Sequence, residues 1–437
     1  MIIKDWKNFF ISMKYFVKLI FSLKEYDVVF VSSVIFNRGS EGENILFRPM
    51  IDCCKKNNLK YLIFEDTDLK GIYSNFQRSK EAVPFDFVSF IQIVLRKFFN
   101  LFSKEPTEIN EIYSRENKIS KILRTIIFNR FYSKVYITLI WNNATLWRNI
   151  NNDACIIDYQ HGVIFNGHEG YLLDGCPPKV KSLNKIDTLV YGDTFKKILM
   201  ANDKSNFYNE DNLIKVGFNK ISGSLKDSPS FNKKILFTLQ ITPDSTSKEV
   251  NENYIKILEN LISENADFLK TNDFKIIFRQ HPRFSSDHCP SVNLEYDFIS
   301  YDNYTPMPDL IDDVSLHITF NSTSVFEASM IGLPTIFIDM HDKEFPKQTH
   351  TNKIFSNDVF KNDYKYPYKD LFIKIYKDLE DILIKLNDKK IYDNYCKKIY
   401  KWSTDLYSDF DTVAFEDFLL QKIDMKNKDV RSKFYRK

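Results

Sequence analysis

Six cysteines in 437 residues form no C-x-x-C pair, and two of them, Cys53 and Cys54, are adjacent. That spacing excludes a zinc-ligand set and a disulfide framework, and the thiols read as reduced, in a cytosolic protein. An excess of one charge is missing as well: 61 basic residues face 58 acidic ones, a formal charge of +3. A nucleic-acid binder would concentrate surplus Lys and Arg, so no nucleic-acid partner is expected. No uncharged apolar run approaches the ~20 residues of a membrane span. A signal-peptide core is not expected either, because Lys14 and Lys18 interrupt the N-terminal apolar stretch and no small-residue cleavage site follows. Short repeats and low-complexity tracts are absent. What remains is a chain 43% hydrophobic and 27% charged, long enough for two or three domains with real cores and unlike a disordered one.

Residues 4–24 have helical spacing. Trp6, Phe9, Phe10, Met13, Phe16, Val17 and Ile20 fall on one face, and Lys7, Lys14 and Lys18 on the other. This predicts either a helix packed on the first domain or one docked on a membrane surface.

Beyond it, strand-like runs alternate with helical stretches. Strands are expected at Asp27–Ser32, Lys60–Phe64, Val135–Ile140, Cys155–Tyr159, Thr188–Tyr191 and Leu213–Val216, with helices at Phe47–Asn57, Phe85–Ser103 and Asn117–Tyr132. A polar stretch from Asn219 to Asn232 reads as a linker. The alternation then restarts. Lys234–Leu239, Phe274–Phe278, Leu294–Ser300, Ser315–Phe320 and Thr335–Ile338 read as strands, Lys248–Lys270 as a long helix, and Tyr368–Leu386, Lys390–Trp402 and Asp411–Met425 as terminal helices. The pattern predicts an α/β protein with two Rossmann-type parallel-sheet domains, 1–225 and 226–437, facing each other across a cleft. The C-terminal helices are expected to pack back toward the first domain.

The residues suited to chemistry stand at the ends of these strands, where open parallel sheets collect ligands. Phe274–Phe278 runs into Arg279, His281 and Arg283, which alternation places on one side, and three potential cations need an anion. Ser315–Phe320 runs into Asn321, Ser322, Thr323 and Ser324, hydroxyls that open a short helix. Taken as adjacent, these two strand ends suggest a site for a nucleotide mono- or diphosphate. A second reading of Ser324 is a helix cap, since Ser324 and Glu327 have capping-box spacing.

In the first half, Cys155–Tyr159 runs into Gln160, His161 and Gly162, and a loop carrying His168 and Glu169 follows. Histidine near its ordinary pKa suits proton transfer, and Glu169 could orient it or serve as the base. The alternative is a polar loop that satisfies its own backbone. Asp66 and Asp68 form a D-x-D that could hold a divalent metal, but ordinary loop residues explain it better, and no metal site is assigned. Glu41 is a further possible base, though a solvated loop explains it better.

Together, Gln160-His161-Gly162-Val163-Ile164 with His168 and Gly170-Tyr171, Tyr191-Gly192-Asp193, Val216-Gly217, His281-Pro282, and Ser322-Thr323-Ser324 with Phe326-Glu327-Ala328 resemble bacterial surface-polysaccharide glycosyltransferases of the GT-B fold. That group includes capsule biosynthesis proteins, polysialyltransferases and the teichoic-acid glycerophosphate transferases. The match preserves order from about residue 155 to 340. The resemblance implies metal-independent, inverting transfer from a CMP-, UDP- or CDP-linked donor to a growing capsule or lipopolysaccharide glycan or glycolipid, with no cofactor. By that resemblance His281 would contact the donor phosphate and Ser322 to Ser324 the nucleotide phosphate or ribose; Arg279 and Arg283, from the alternation at the strand end, and Glu327 are expected in the same donor site. His161-Gly162 matches the His-Gly pair of the teichoic-acid enzymes, which favours His161 as base. Such an enzyme would be cytoplasmic, with residues 4–24 as a peripheral membrane contact. Two other classes stay open: a sugar-nucleotide epimerase of the same fold, and a non-catalytic saccharide-binding component of capsule assembly or export.

Overall fold

A computed structural model describes residues 5–37, 42–66, 77–102, 109–139, 143–219, 230–239, 248–280, 292, 294–303, 305, 307–320, 322–339 and 359–434. The chain divides into two compact units, Met1–Asn219 with Asp409–Lys437, and Lys220–Ser408.

Among the described residues the first unit is built on a seven-stranded sheet. Its strands are β1 (Lys24–Ser32), β2 (Tyr61–Glu65), β3 (Val83–Pro84), β4 (Phe131–Leu139), β5 (Cys155–Tyr159), β6 (Ile186–Val190) and β7 (Leu213–Lys215), in the order β3-β2-β1-β4-β5-β6-β7. Every pairing is parallel. A parallel sheet is covered on both faces, which is why β5 and the C-terminal half of β1 are buried without interruption. The core is strongly aromatic: Trp147 lies flat on Phe64 (centroids 5.8 Å apart) and on Tyr136 (5.0 Å).

The second unit carries a six-stranded sheet among its described residues, also parallel throughout. Its strands are β8 (Lys234–Thr238), β9 (Lys275–Arg279), β10 (Ile299–Tyr301), β11 (Leu316–Thr319), β12 (Thr335–Ile338) and β13 (Phe372–Ile373), in the order β10-β9-β8-β11-β12-β13. The chain moves outward one way from β8 and then the other way from β11. The topological switch point therefore lies between β8 and β11, just as it lies between β1 and β4 in the first unit.

Four expectations change. The strand ends carrying Arg279 and Ser322–Ser324 are not adjacent, because β8 pairs with both β9 and β11 and stands between them. The expected helix Tyr368–Leu386 is in fact β13 followed by a helix at Asp378–Leu386. The last segment groups with the first unit instead of completing a domain 226–437. Asp409 bridges to Phe218, the N–H of Asp411 donates to the carbonyl of Val216 at 2.8 Å, and Lys422 pairs with Asp187 at 2.6 Å. Gly217 permits this return: its φ is +82°, and a Cβ there would fall 2.0 Å from the Asp409 carbonyl oxygen. Finally, the helix Trp6–Phe21, capped by the Asp5 carboxylate on the N–H of Asn8, does not bury one whole apolar face. Phe9, Phe16 and Leu19 are buried, whereas Trp6, Phe10, Val17 and Phe21 are exposed, Phe21 by 73%.

Candidate functional site

The carboxyl end of β8, the body of β11 and the first residue of β12 are tied together by one fully buried side chain, His317. Its register puts it beside Thr335 of β12 and opposite Leu236 of β8, two residues before Thr238. Nδ1 lies 2.9 Å from the Thr335 hydroxyl, and Nε2 lies 2.9 Å from that of Thr238 and 3.2 Å from that of Ser324. The Thr238 and Ser324 hydroxyls are themselves 3.1 Å apart. Burial depresses the imidazole pKa to about 3, so the ring is neutral. A neutral imidazole among three hydroxyls satisfies every polar group without a buried charge. Below the turn, the Thr319 hydroxyl donates to the carbonyl of Thr238 at 3.3 Å and accepts the N–H of Ser322 at 3.2 Å.

This network replaces the capping box. Ser324 is the first residue of the helix Ser324–Ser329, and its hydroxyl turns to His317 and Thr238. The cap position is Thr323, which makes no side-chain cap bond. The Ser322 hydroxyl accepts the N–H of Ser324 at 3.2 Å, a turn-forming contact. Thr323 is exposed, and Ser322, Ser324 and Glu327 are half-buried. Burial first, and then the negative charge of Glu327, push the phenol of Tyr407 up; Tyr407 stacks on Phe326 with centroids 5.1 Å apart.

Arg279, the last residue of β9, is buried and donates from Nη1 to the carbonyls of Thr305 (2.6 Å) and Asp302 (3.3 Å). It holds the turn after β10. His281 and Arg283, the other two expected cations, lie outside the described residues, as do Asn321, Glu41 and Asp68. Glu65, at the end of β2, is a buried structural centre: it accepts from Asn37 at 2.6 Å and from the N–H of Ser79 at 3.1 Å, and it pairs with Arg78 at 3.1 Å.

In the first unit, the chain leaving β5 is pinned at once. Gln160 is buried, takes the N–H of Tyr191 on its carbonyl oxygen (2.8 Å) and donates to the carbonyl of Gly162 (2.6 Å). His161 follows, its ring half-buried between Tyr171 (centroids 5.9 Å apart, nearly parallel) and the edge of Phe36 (6.3 Å), which sits in the turn after β1. Nδ1 is 3.2 Å from the Tyr171 hydroxyl. Burial lowers the pKa of His161 to about 4, against the partial support of Asp158. His168 lies 5.3 Å from the same Tyr171 ring, and its Nδ1 accepts the N–H of Gly170 at 2.9 Å. That bond settles the neutral tautomer of His168, with its proton on Nε2. Burial lowers its pKa as well. Glu169 points to solvent. A Cβ on Gly162 would meet nothing within 4 Å, so the backbone beside His161 is open to approach.

Sequence reasoning had not singled out His317, Lys181 or Asp158. Lys181 and Asp158 form an ion pair of 2.6 Å with both side chains fully buried, beneath the Tyr171 ring. Asp158 left a signal, a carboxylate inside the apolar run of β5 that requires a buried partner. Nothing local to Lys181 marks it as that partner.

No family model and no curated protein matches the chain. Among solved structures it is similar to the glycosyltransferase SnogD from Streptomyces nogalater (11% identity over 91% of this chain and 100% of that one, TM-score 0.51). It is also similar to the wall teichoic acid polymerase TagF, H444N variant (13%, 96% and 99%, TM-score 0.51). A putative UDP-N-acetylglucosamine 2-epimerase from Listeria monocytogenes aligns comparably (10%, 88% and 93%, TM-score 0.50). At these identities the likeness is one of fold: two parallel-sheet α/β domains, as in GT-B glycosyltransferases and the epimerases that share their architecture.

Proposed function

We propose that the chain is a metal-independent, inverting glycosyltransferase that moves a sugar from a CMP-, UDP- or CDP-linked donor to a growing surface glycan of the capsule or lipopolysaccharide type. The observation that carries the donor assignment is the hydroxyl network at the switch point of the second sheet, where Ser322, Thr323 and Ser324 follow β11 and His317 locks Ser324 in place. Ligands of open parallel sheets bind at that crevice. Ser322, Thr323 and Ser324 hold the nucleotide's phosphate or ribose, Glu327, Arg279, His281 and Arg283 complete the donor site, and His281 meets the phosphate.

In the first unit the loop after β5 handles the acceptor. The acceptor oxygen forms the new bond to the anomeric carbon, its proton passes to Nε2 of His161, and the bond from that carbon to the phosphate oxygen breaks with its electron pair on the nucleotide. A pKa of about 4, below the near-neutral value expected from the sequence, leaves His161 unprotonated at neutral pH but a weaker base than an ordinary histidine. His168, with its proton on Nε2, serves as a hydrogen-bond donor in the same loop, and Glu169 lies beside it.

The exposed face of the helix Trp6–Phe21 supports peripheral membrane docking. An apolar row of Trp6, Phe10, Val17 and Phe21 runs beside Lys7, Lys14 and Lys18, and the helix contains no acidic residue. Among the described residues no helix is long and apolar enough to cross a membrane.

The fold also accommodates a sugar-nucleotide epimerase, so the test is incubation with nucleotide sugars in the presence and absence of a glycan acceptor. Acceptor-dependent release of nucleotide with an inverted glycosidic bond is expected. An altered free sugar formed without acceptor would establish the epimerase instead.

A further inference from the structure

A lysine and an aspartate, both fully buried, are an expensive way to fill the space behind β5. Apolar residues of the same volume are often as stable or more so. Lys181 Nζ bonds Asp158 at 2.6 Å and the Thr188 hydroxyl of β6 at 3.1 Å, and it lies 4.5 Å from the centroid of the Tyr171 ring. From above, the Tyr171 carbonyl accepts the hydroxyl of Tyr208 at 2.8 Å, and its N–H donates to the carbonyl of His168 at 2.9 Å. Ring and backbone of Tyr171 are therefore both fixed. Its hydroxyl is the group that meets His161.

We propose that Tyr171 is a positioning residue, held by the Lys181–Asp158 pair, that locks His161 in the tautomer with its proton on Nδ1 and its lone pair on Nε2. This deepens the transferase reading and rests on it for the choice of tautomer and for the consequence in turnover. Two distances place the phenol oxygen on the Nδ1 side of the ring. The ring Nδ1 and the main-chain N–H of His161 approach the Tyr171 oxygen at 3.2 and 3.4 Å. A base that takes the acceptor's proton at Nε2 must carry its own proton on Nδ1, and on that reading Nδ1 is the donor and the phenol oxygen the acceptor. His168 is set the opposite way by Gly170, so one loop presents two neutral imidazoles in opposite tautomers, His161 with a free base nitrogen and His168 with a free donor. Asp158 compensates the ammonium charge, so Lys181 holds the ring without leaving a net charge under it. That is the chemistry a hydroxyl acceptor needs, one group to take its proton and one to orient its oxygen.

The test reads the tautomer directly, by two-bond proton–nitrogen correlation NMR on the full-length protein labelled with ¹⁵N-histidine, with the His161 signals assigned by loss in His161→Gln. The wild type is expected to show His161 protonated at Nδ1 and bare at Nε2. Tyr171→Phe keeps the ring and removes the hydroxyl, and is expected to move at least half of His161 to the other tautomer. The double variant Lys181→Met/Asp158→Asn, which removes both charges together, should shift it in the same direction. A His161 tautomer unchanged by Tyr171→Phe, or protonated at Nε2 in the wild type, overturns the proposal whatever the enzyme's activity. If the tautomer moves as expected, transfer by Tyr171→Phe should fall in kcat by up to about 100-fold with little change in donor KM. A moved tautomer with unaltered turnover would leave the positioning role standing and remove His161 from the reaction.

Discussion

Acidification should unfold the second unit through His317, and the effect can be worked from the structure. The ring is fully buried among three hydroxyls, and burial holds its pKa at about 3, whereas in the unfolded chain it returns to the ordinary value of about 6.5. Below pH 6.5 the unfolded state takes up a proton that the folded state refuses. The stabilisation is therefore complete above about pH 6.5 and drains away as pH falls toward the folded pKa. Each pH unit in that window removes about 1.4 kcal/mol, so two units, from pH 6.5 to 4.5, remove about 2–3 kcal/mol. His317→Gln keeps an amide able to bond the neighbouring hydroxyls but cannot titrate. Hydrogen exchange read by mass spectrometry in rising urea reports each unit separately, because peptides of Lys220–Ser408 are resolved from the rest. The wild-type second unit should lose stability between pH 6.5 and 4.5, and the variant, less stable at neutral pH, should lose about 2–3 kcal/mol less over the same interval. Equal pH slopes for the two proteins would mean that the imidazole titrates normally, and the neutral network would be wrong.

Gly217→Ala should cost more than about 2 kcal/mol, since it combines a positive φ with a Cβ placed 2.0 Å from the Asp409 carbonyl; limited proteolysis should then cut near Asp409 first. His161→Ala should lower turnover about 100-fold or more with donor affinity nearly intact; normal turnover in that variant alongside a loss in Glu169→Gln would move the base to the carboxylate. Vesicles containing anionic lipid should bind the wild type in a salt-sensitive way, and Lys7→Gln/Lys14→Gln/Lys18→Gln should abolish most of that binding, whereas binding indifferent to salt and to the lysines would contradict docking through the helix Trp6–Phe21.

Individual elements were more legible in the sequence than their arrangement. β5 and β12 begin and end where their apolar runs do, at Cys155–Tyr159 and Thr335–Ile338, because buried parallel strands are read from continuous hydrophobicity. β13 was hidden: two residues, Phe372 and Ile373, carry no period of their own. Strand order was not legible either, since the placement of β8 between β9 and β11 follows from crossover geometry and leaves no mark in the residues themselves. The N-terminal helix shows the same limit. Its apolar positions were correctly spaced, but only the strip of Phe9, Phe16 and Leu19 is buried, leaving Trp6 and Phe10 outside. Within the candidate site, strand-terminal residues such as His161 and Ser322 stood out because a polar group after an apolar run is a local event. Their supports, His317, Tyr171 and Lys181, did not, because each is defined by a partner distant in sequence.

Donor binding by the second unit is the centre of the account, and calorimetry with CMP, CDP and UDP tests it most directly. One of these nucleotides should bind the wild type, and the Ser322→Ala/Thr323→Ala variant, with its hydrogen-exchange stability unchanged, should bind it about 1.5–3 kcal/mol more weakly, the scale of hydrogen bonds to a charged group. Equal affinity in the two proteins would contradict the assignment of the donor site to the end of β11.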